Sequence, residues 1–273
     1  MTATQPPASR RELRQGPPPS GGARGPQGRP RSGGRVRWVV LGAVGVLGEL
    51  LITAGVFLLA FLVWQLWWTD IQGNRAQAQV VEQLGWAPAP TLEVGGPKIA
   101  TPRRDEEPPV LDEPAIGTTF ATLQVPRWDG EPERPITNGI DKRTVLDTLG
   151  IGHYPGTAMP GDIGNFALAA HRTTFGKPFN RIAELQEGDP LVVRAGDVWY
   201  VYRVTSSQIV LPAQSEVIAP VPNDPTALPT ERFITLTTCH PMFSARERFI
   251  VHGVLDYWAP VSDGVPVELV GGA

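Results

Sequence analysis

The stretch ITLTTCHPMFSARERFIVHG, residues 234–253, sets two short apolar runs on either side of a polar connection. TLTTC and RFIVHG are rich in the β-branched and aromatic residues that suit strands, and HPMFSARE between them reads as a loop. The first run ends in Cys239, the one cysteine among 273 residues; His240 stands beside it, and Arg246 and Arg248 follow. If Cys239 closes one strand and Arg248 opens the next, the two side chains share one face of neighbouring strands.

Similar runs recur outward from this pair. TFATLQVPRW (119–128), NFALAAH (165–171), DPLVVRAGDVWYVYRVTSSQIVL (189–211), RFITLTTC (232–239) and RFIVHGVLDYW (248–258) are separated by turn signals. The AGD step at residues 195–197 reads as a hairpin. Helical periodicity is confined to brief pieces at 142–149 and 178–185. A region of about 155 residues with many short strands and few helices predicts a mainly all-β domain, a compact barrel or sandwich, over residues 118–273.

The preceding sequence is of three kinds. Residues 1–37 carry eight arginines against one acid, Glu12, in a Pro- and Gly-rich setting. Such a segment buries too little apolar surface to offset its ordering entropy and reads as a disordered basic tail. Residues 38–69 follow as an apolar segment, with 19 uncharged residues from Leu50 to Trp68. A helix of that length covers about 28 Å, close to a hydrocarbon core of about 30 Å. Trp64, Trp67 and Trp68 suit the far interface, and no cleavage site follows, so the segment reads as a transmembrane anchor. Glu49 falls near the inner headgroups. The arginines place the tail in the cytoplasm and everything after Trp68 outside. Residues 70–117 read as an extracellular linker, helical near the membrane and Pro-rich beyond, with Asp105, Glu106 and Glu107 as a solvated acidic cluster. The formal net charge of -3 gives no argument for a nucleic-acid partner.

An exported chain normally uses cysteines in pairs, so a single thiol is buried and inert, bridged to another chain, or reactive. The reactive reading needs positive company. His171 ends NFALAAH and would exchange protons with the Cys239 thiol and a leaving amine. Arg248 would hold a substrate carbonyl or its oxyanion. His240 is a poor base for Cys239, because adjacent residues of an extended segment face opposite ways. His252 reads as a packed or edge-strand residue, and His153 opens a loop expected to border the cleft. These histidines and Cys239 show no metal-ligand spacing, so neither a metal nor a cofactor is expected.

TLTTC with an arginine nine positions on, together with HYPGTAMPGDIGNFALAAHRTTFGKPF (153–179), resembles the two hallmark segments of sortases, the cysteine transpeptidases of Gram-positive surfaces. Pro241, the wording AAHRTTFGKPF and the single N-terminal anchor are most similar to class E, the class of high-GC actinobacteria. The resemblance implies an eight-stranded sortase β-barrel with short helices and a triad of Cys239, His171 and Arg248, with thiol and imidazole acting mainly from their neutral forms. It further implies cleavage of a C-terminal LAxTG- or LPxTG-like sorting signal between Thr and Gly, with transfer to lipid II or a pilin lysine. Thr238 and Tyr154 are the expected substrate contacts, each with a packing role as its alternative. Two other readings stand beside the transpeptidase: a hydrolase of the same signal, and an anchored β-barrel adaptor whose thiol is structural.

Overall fold

The computed structural model describes residues 33–88, 90–92 and 96–270. Eight strands close into a barrel: β3 (Thr119–Gln124), β4 (Arg134–Asn138), β5 (Ile151–His153), β6 (Gly164–Ala169), β7 (Pro190–Ala195), β8 (Val198–Val210), β9 (Arg232–His240) and β10 (Glu247–Pro260). Around the wall they run β10-β8-β7-β3-β4-β5-β6-β9, and β9 pairs with β10 to complete the ring. A small ribbon, β1 (Thr91–Leu92) with β2 (Gly96–Pro97), precedes them. The barrel and its eight strands agree with the family expectation. β4 and β5 are missing from the runs seen in the sequence: β4 contains Pro135, and β5 is only three residues long.

Alternation fills the interior. Phe166 and Leu168 of β6, Ile234 and Leu236 of β9, and Val251 of β10 point into one core with Leu191, Val193, Tyr200 and Tyr202. Each such side chain contributes roughly 1.5–3 kcal/mol by leaving water. On β7 and β8 the intervening residues are buried as well: Val192, Trp199 and Val201 pack outward against Tyr257 and Val261 near the C-terminus. This double burial explains why VVRAGDVWYVY reads as a nearly unbroken apolar run. The expected hairpin is present, β7 and β8 being joined by Gly196 and Asp197, with Gly196 at φ +57°. The helical pieces are shorter than expected, a π-type turn at Lys142–Leu146 and a 3-10 turn at Ile182–Glu184.

Tertiary contacts divide the chain into Met1–Phe57 and Leu58–Ala273. The described part of the first unit is the start of helix α1 (Gly33–Gln83), whose exposed apolar residues make it long and apolar enough to cross a membrane. The expected basic tail lies mostly outside the described residues, but residues 33–37 already belong to α1. Within the second unit α1 continues without a break as far as Gln83.

The stretch read as a linker is strapped to the barrel. Arg103 pairs with Trp258 and Ile99 with Val265 as isolated bridges. Ala100 is buried, and the Tyr200 hydroxyl bonds the Pro109 carbonyl. The acidic cluster is partly engaged, Glu107 pairing with Arg232 and Glu106 with Arg103. Prolines suit such a strap, because extended backbone laid over a barrel needs few ladder hydrogen bonds of its own.

His252 sits in β10 between β8 and β9, so it is a packed residue and not an edge one. Gln208 Nε2 donates to its Nε2 at 3.1 Å, which leaves the proton on Nδ1 facing Thr235 Oγ1 at 2.9 Å. Thr235 passes its own hydrogen to Asn165 Oδ1 at 2.7 Å. The network is complete with a neutral ring, and burial pulls the His252 pKa down from 6.5 to about 4. As pH falls below the ordinary histidine value, the unfolded chain takes up the proton first and the folded state loses ground. Stability is therefore expected to be full above about pH 7 and to decline by roughly 3 kcal/mol between about pH 6.5 and 4. Buried His153, also lowered by burial, adds to the same slope. Denaturant midpoints across that range check this, and His252→Gln is expected to flatten the decline.

Candidate active site

Two strand pairings meet at Cys239. In the antiparallel pair β9–β10, Cys239 lies directly opposite Arg248. In the parallel pair β6–β9, Ala167 matches Thr235 and Ala169 matches Thr237. The Ala170 amide extends this pairing by donating to the Thr237 carbonyl at 3.2 Å. Continued two residues past its last pair, this register would bring His171 abreast of Cys239. On that alignment His171, Cys239 and Arg248 fall in one row across three neighbouring chain segments, paired strands standing about 4.8 Å apart. Because Phe166, Leu168, Ile234, Leu236 and Val251 point into the core, the row lies on the outer face of the barrel.

Cys239 is half-buried and its thiol is free. His171 Nε2 lies 2.7 Å from Asp147 Oδ1, and Asp147 is also paired with Lys142. A carboxylate only accepts, so the imidazole donates from Nε2 to Asp147, and in the neutral ring that tautomer makes Nδ1 the acceptor. Asp147 therefore acts as the group that orients the ring, a role no sequence pattern announced. Its position follows from the loop after the π-type turn, which Asp141 caps by accepting from the Arg143 and Thr144 amides. These amide bonds and the Thr144 hydroxyl hold the Asp141 carboxyl below the usual aspartate value. Arg248 Nη1 donates to the Ala245 and Glu247 carbonyls at 3.0 Å each. Arg246 lies in the exposed connection, so the arginine facing Cys239 across the pair is Arg248.

Beside this row is a groove of about 130 Å³. Val210, Leu211, Val217, Ile218 and Ile250 give it an apolar lining, to which Tyr154, Thr237 and Arg248 add polar groups. Tyr154 borders the groove, and its hydroxyl lies 3.1 Å from Thr237 Oγ1. His153 does not border it. Its ring is fully buried between Asn138 Oδ1 at 3.0 Å and the Ala158 carbonyl at 3.1 Å, where it braces the loop that carries Tyr154.

Thr238 requires a correction. It is buried, and its hydroxyl donates to the Ala170 carbonyl at 2.7 Å, away from the groove. The hydroxyl on the groove side belongs to Thr237. Strand alternation held the signal: the rule that turns His240 away from Cys239 turns Thr238 away as well. A second residue escaped sequence reading altogether. Arg172, buried behind the row, donates through Nη1 to His240 Nδ1 at 2.9 Å and to the Cys239 carbonyl at 3.3 Å. Its guanidinium carbon stands 5.4 Å from the Phe249 ring centre. Burial pulls its pKa below the usual arginine value, opposed by the nearby Cys239.

Known proteins share the barrel. A family model described as Sortase domain matches residues 123–256. Sortase SrtE1 of Streptomyces coelicolor is 37% identical over 232 residues, 82% of this chain; the chain spans only 60% of that relative's length. The solved SrtA sortase from Actinomyces oris is 45% identical with a TM-score of 0.60, covering 63% of this chain and 97% of its own. Sortase E1 from Streptomyces coelicolor, solved with a tripeptide in its active site, is 41% identical with a TM-score of 0.53, covering 56% of this chain and 97% of its own. With its barrel, its row of three side chains and these relatives, the chain belongs to the sortase family, and class E sortases of actinobacteria are among its relatives.

Proposed function

We propose that this chain is a membrane-anchored cysteine transpeptidase acting on a C-terminal LAxTG- or LPxTG-like sorting signal. The observation that carries the reading is the row of His171, Cys239 and Arg248 on the outer barrel face, beside an apolar groove. In it, the Cys239 sulfur attacks the carbonyl carbon of the signal's threonine while its proton passes to His171 Nδ1. Arg248 turns its guanidinium toward the developing oxyanion. The Thr–Gly bond then breaks, the glycine amine leaves with the proton from His171, and a thioester remains on Cys239. An amine of lipid II or of a pilin lysine attacks the thioester, gives its proton to His171 and restores the thiol. The apolar groove suits the signal's leucine, and the Tyr154 hydroxyl, held by Thr237, which itself donates to the Leu168 carbonyl, borders the path of its backbone.

The same reading assigns the remaining segments. Residues 38–69 cross the membrane, the arginine-rich start stays in the cytoplasm and residues 118–273 work outside as the catalytic domain. The partners are secreted proteins that carry the signal.

Full-length protein in detergent micelles, incubated with LAxTG and LPxTG peptides and triglycine, tests the proposal. Mass spectrometry is expected to find an acyl adduct on Cys239 and a peptide–triglycine product. Cys239→Ala should abolish both, and Arg248→Ala should lower kcat roughly 100- to 1,000-fold. Hydrolysed peptide with no triglycine product would instead identify a hydrolase. Failure of any adduct to form, with Cys239→Ala indistinguishable from wild type, would leave only a structural thiol.

The two threonines are expected to separate in the same assay. Thr237→Val should raise KM for the peptide and also lower stability by about 1–2 kcal/mol, because the Leu168 carbonyl loses its buried donor. Thr238→Val should lower stability by about 1–2 kcal/mol, because the Ala170 carbonyl loses its buried donor, and should leave KM near wild type. Thermal unfolding and initial-rate kinetics on both variants decide this.

A further inference from the structure

The last turns of α1 are built into the barrel at the loop that follows His171. Residues 70, 73, 74 and 77 recur at helical spacing and form one stripe. Asp70 Oδ2 pairs with Lys177 Nζ at 2.9 Å. Gln77, only 1% exposed, donates through Nε2 to the Phe175 carbonyl at 2.9 Å. A Cβ on Gly73 would stand 2.4 Å from the Phe175 carbonyl carbon, so only glycine lets the two backbones approach this closely. Buried Arg134 locks the other side of the stripe, donating to Asn74 Oδ1 at 2.6 Å and to Gln77 Oε1 at 2.8 Å.

The loop that the stripe holds has an unfavourable backbone. Phe175, Gly176 and Lys177 are all left-handed, at φ 54°, 77° and 40°, and two of them are not glycine. Side-chain-bearing residues avoid that region, so three in succession need external support. The same loop faces the imidazole, with the Phe175 ring centre 5.3 Å from that of His171. The Phe179 amide donates to the His171 carbonyl at 3.1 Å. A space of about 220 Å³ beside the helix is lined by Gly73, Phe175 and Asp147, the residue that holds His171 Nε2.

We propose that residues 70–77 are a positioning element for His171, which makes the extension of the anchor helix a working part of the site. The inference rests on the reading of His171 as the proton-transfer group. The stripe fixes the strained loop, the loop and Asp147 fix the ring, and the ring then meets the Cys239 thiol at a constant angle. Loosening the stripe should slow the chemical step while the groove keeps its grip on the peptide.

Two variants of the full chain in micelles test this. Gln77→Glu keeps an acceptor for Arg134 but sets an acceptor against the Phe175 carbonyl; Gly73→Ala pushes helix and loop apart. Both are expected to lower kcat roughly 10- to 100-fold with KM for the LAxTG peptide nearly unchanged, since small misplacements carry costs of that order. Gln79→Ala, on the exposed side of the helix, should match wild type. Hydrogen exchange should quicken at the amides of residues 172–177 in both variants and stay unchanged elsewhere in the barrel. Wild-type kcat and exchange in both variants would overturn the proposal. So would kcat, KM and melting temperature worsening together with exchange raised across the barrel. A wild-type chain that forms no Cys239 adduct overturns the functional reading and with it the catalytic part of this one. Faster exchange confined to residues 172–177 would then still support the buttress, and unchanged exchange would remove it too.

Discussion

The pairing of β9 with a parallel neighbour on one side and an antiparallel neighbour on the other is the constraint on which this site depends. A slip of one residue in either ladder would send Cys239 and its partner to opposite faces of the wall. The register is pinned by what lies beneath it. Phe166, Leu168, Ile234, Leu236 and Val251 must all reach the core, which excludes every odd slip among the three segments. Placement of the three reactive side chains is thus a by-product of packing, enforced by many apolar contacts rather than by bonds among the three groups themselves.

The outer face that carries the row is also tied together by polar groups. Gln208, His252, Thr235 and Asn165 form one chain of hydrogen bonds across β8, β10, β9 and β6. Asn165 then donates to the Val217 and Ala219 carbonyls, which belong to the segment lining the groove. Every member has a partner, which is the condition under which a buried polar network rigidifies a site instead of weakening it. On the opposite face, Arg172 ties the Cys239 carbonyl to His240 and rests against Phe249, holding the end of β9 from behind.

The barrel is not a self-sufficient shell with an inert stalk. The strap from Ile99 to Glu113 returns across β10 and β8 and ends with Glu113 bonded to Asn138 and to the Gly156 amide, beside Tyr154. The helix extension reaches Arg134 and the loop after His171. Sequence composition marks both pieces as spacer because they are short of large apolar residues. What they contribute is hydrogen bonding and close approach, and neither leaves a compositional trace.

Local patterning alone located six of the eight strands, the two-residue hairpin at Gly196 and the apolar helix. It also turned His240 away from Cys239, whereas the nine-residue spacing that favours Arg248 over Arg246 came from the family resemblance. The closed eight-stranded form came from resemblance to a family, since a barrel and a sandwich share the same alternation. Thr238 was misplaced because the alternation rule was applied on one side of Cys239 and not on the other. Asp147, Arg172 and Thr237 could be weighed only once distant segments had been brought together: 24 residues separate Asp147 from His171, and 67 separate Arg172 from Cys239. Sequence by itself determined most of the strands and the residue types able to carry reactive chemistry, because period and side-chain type are local properties. Only the tertiary structure decided which of those groups meet, because register across a closed sheet is set by the whole core at once.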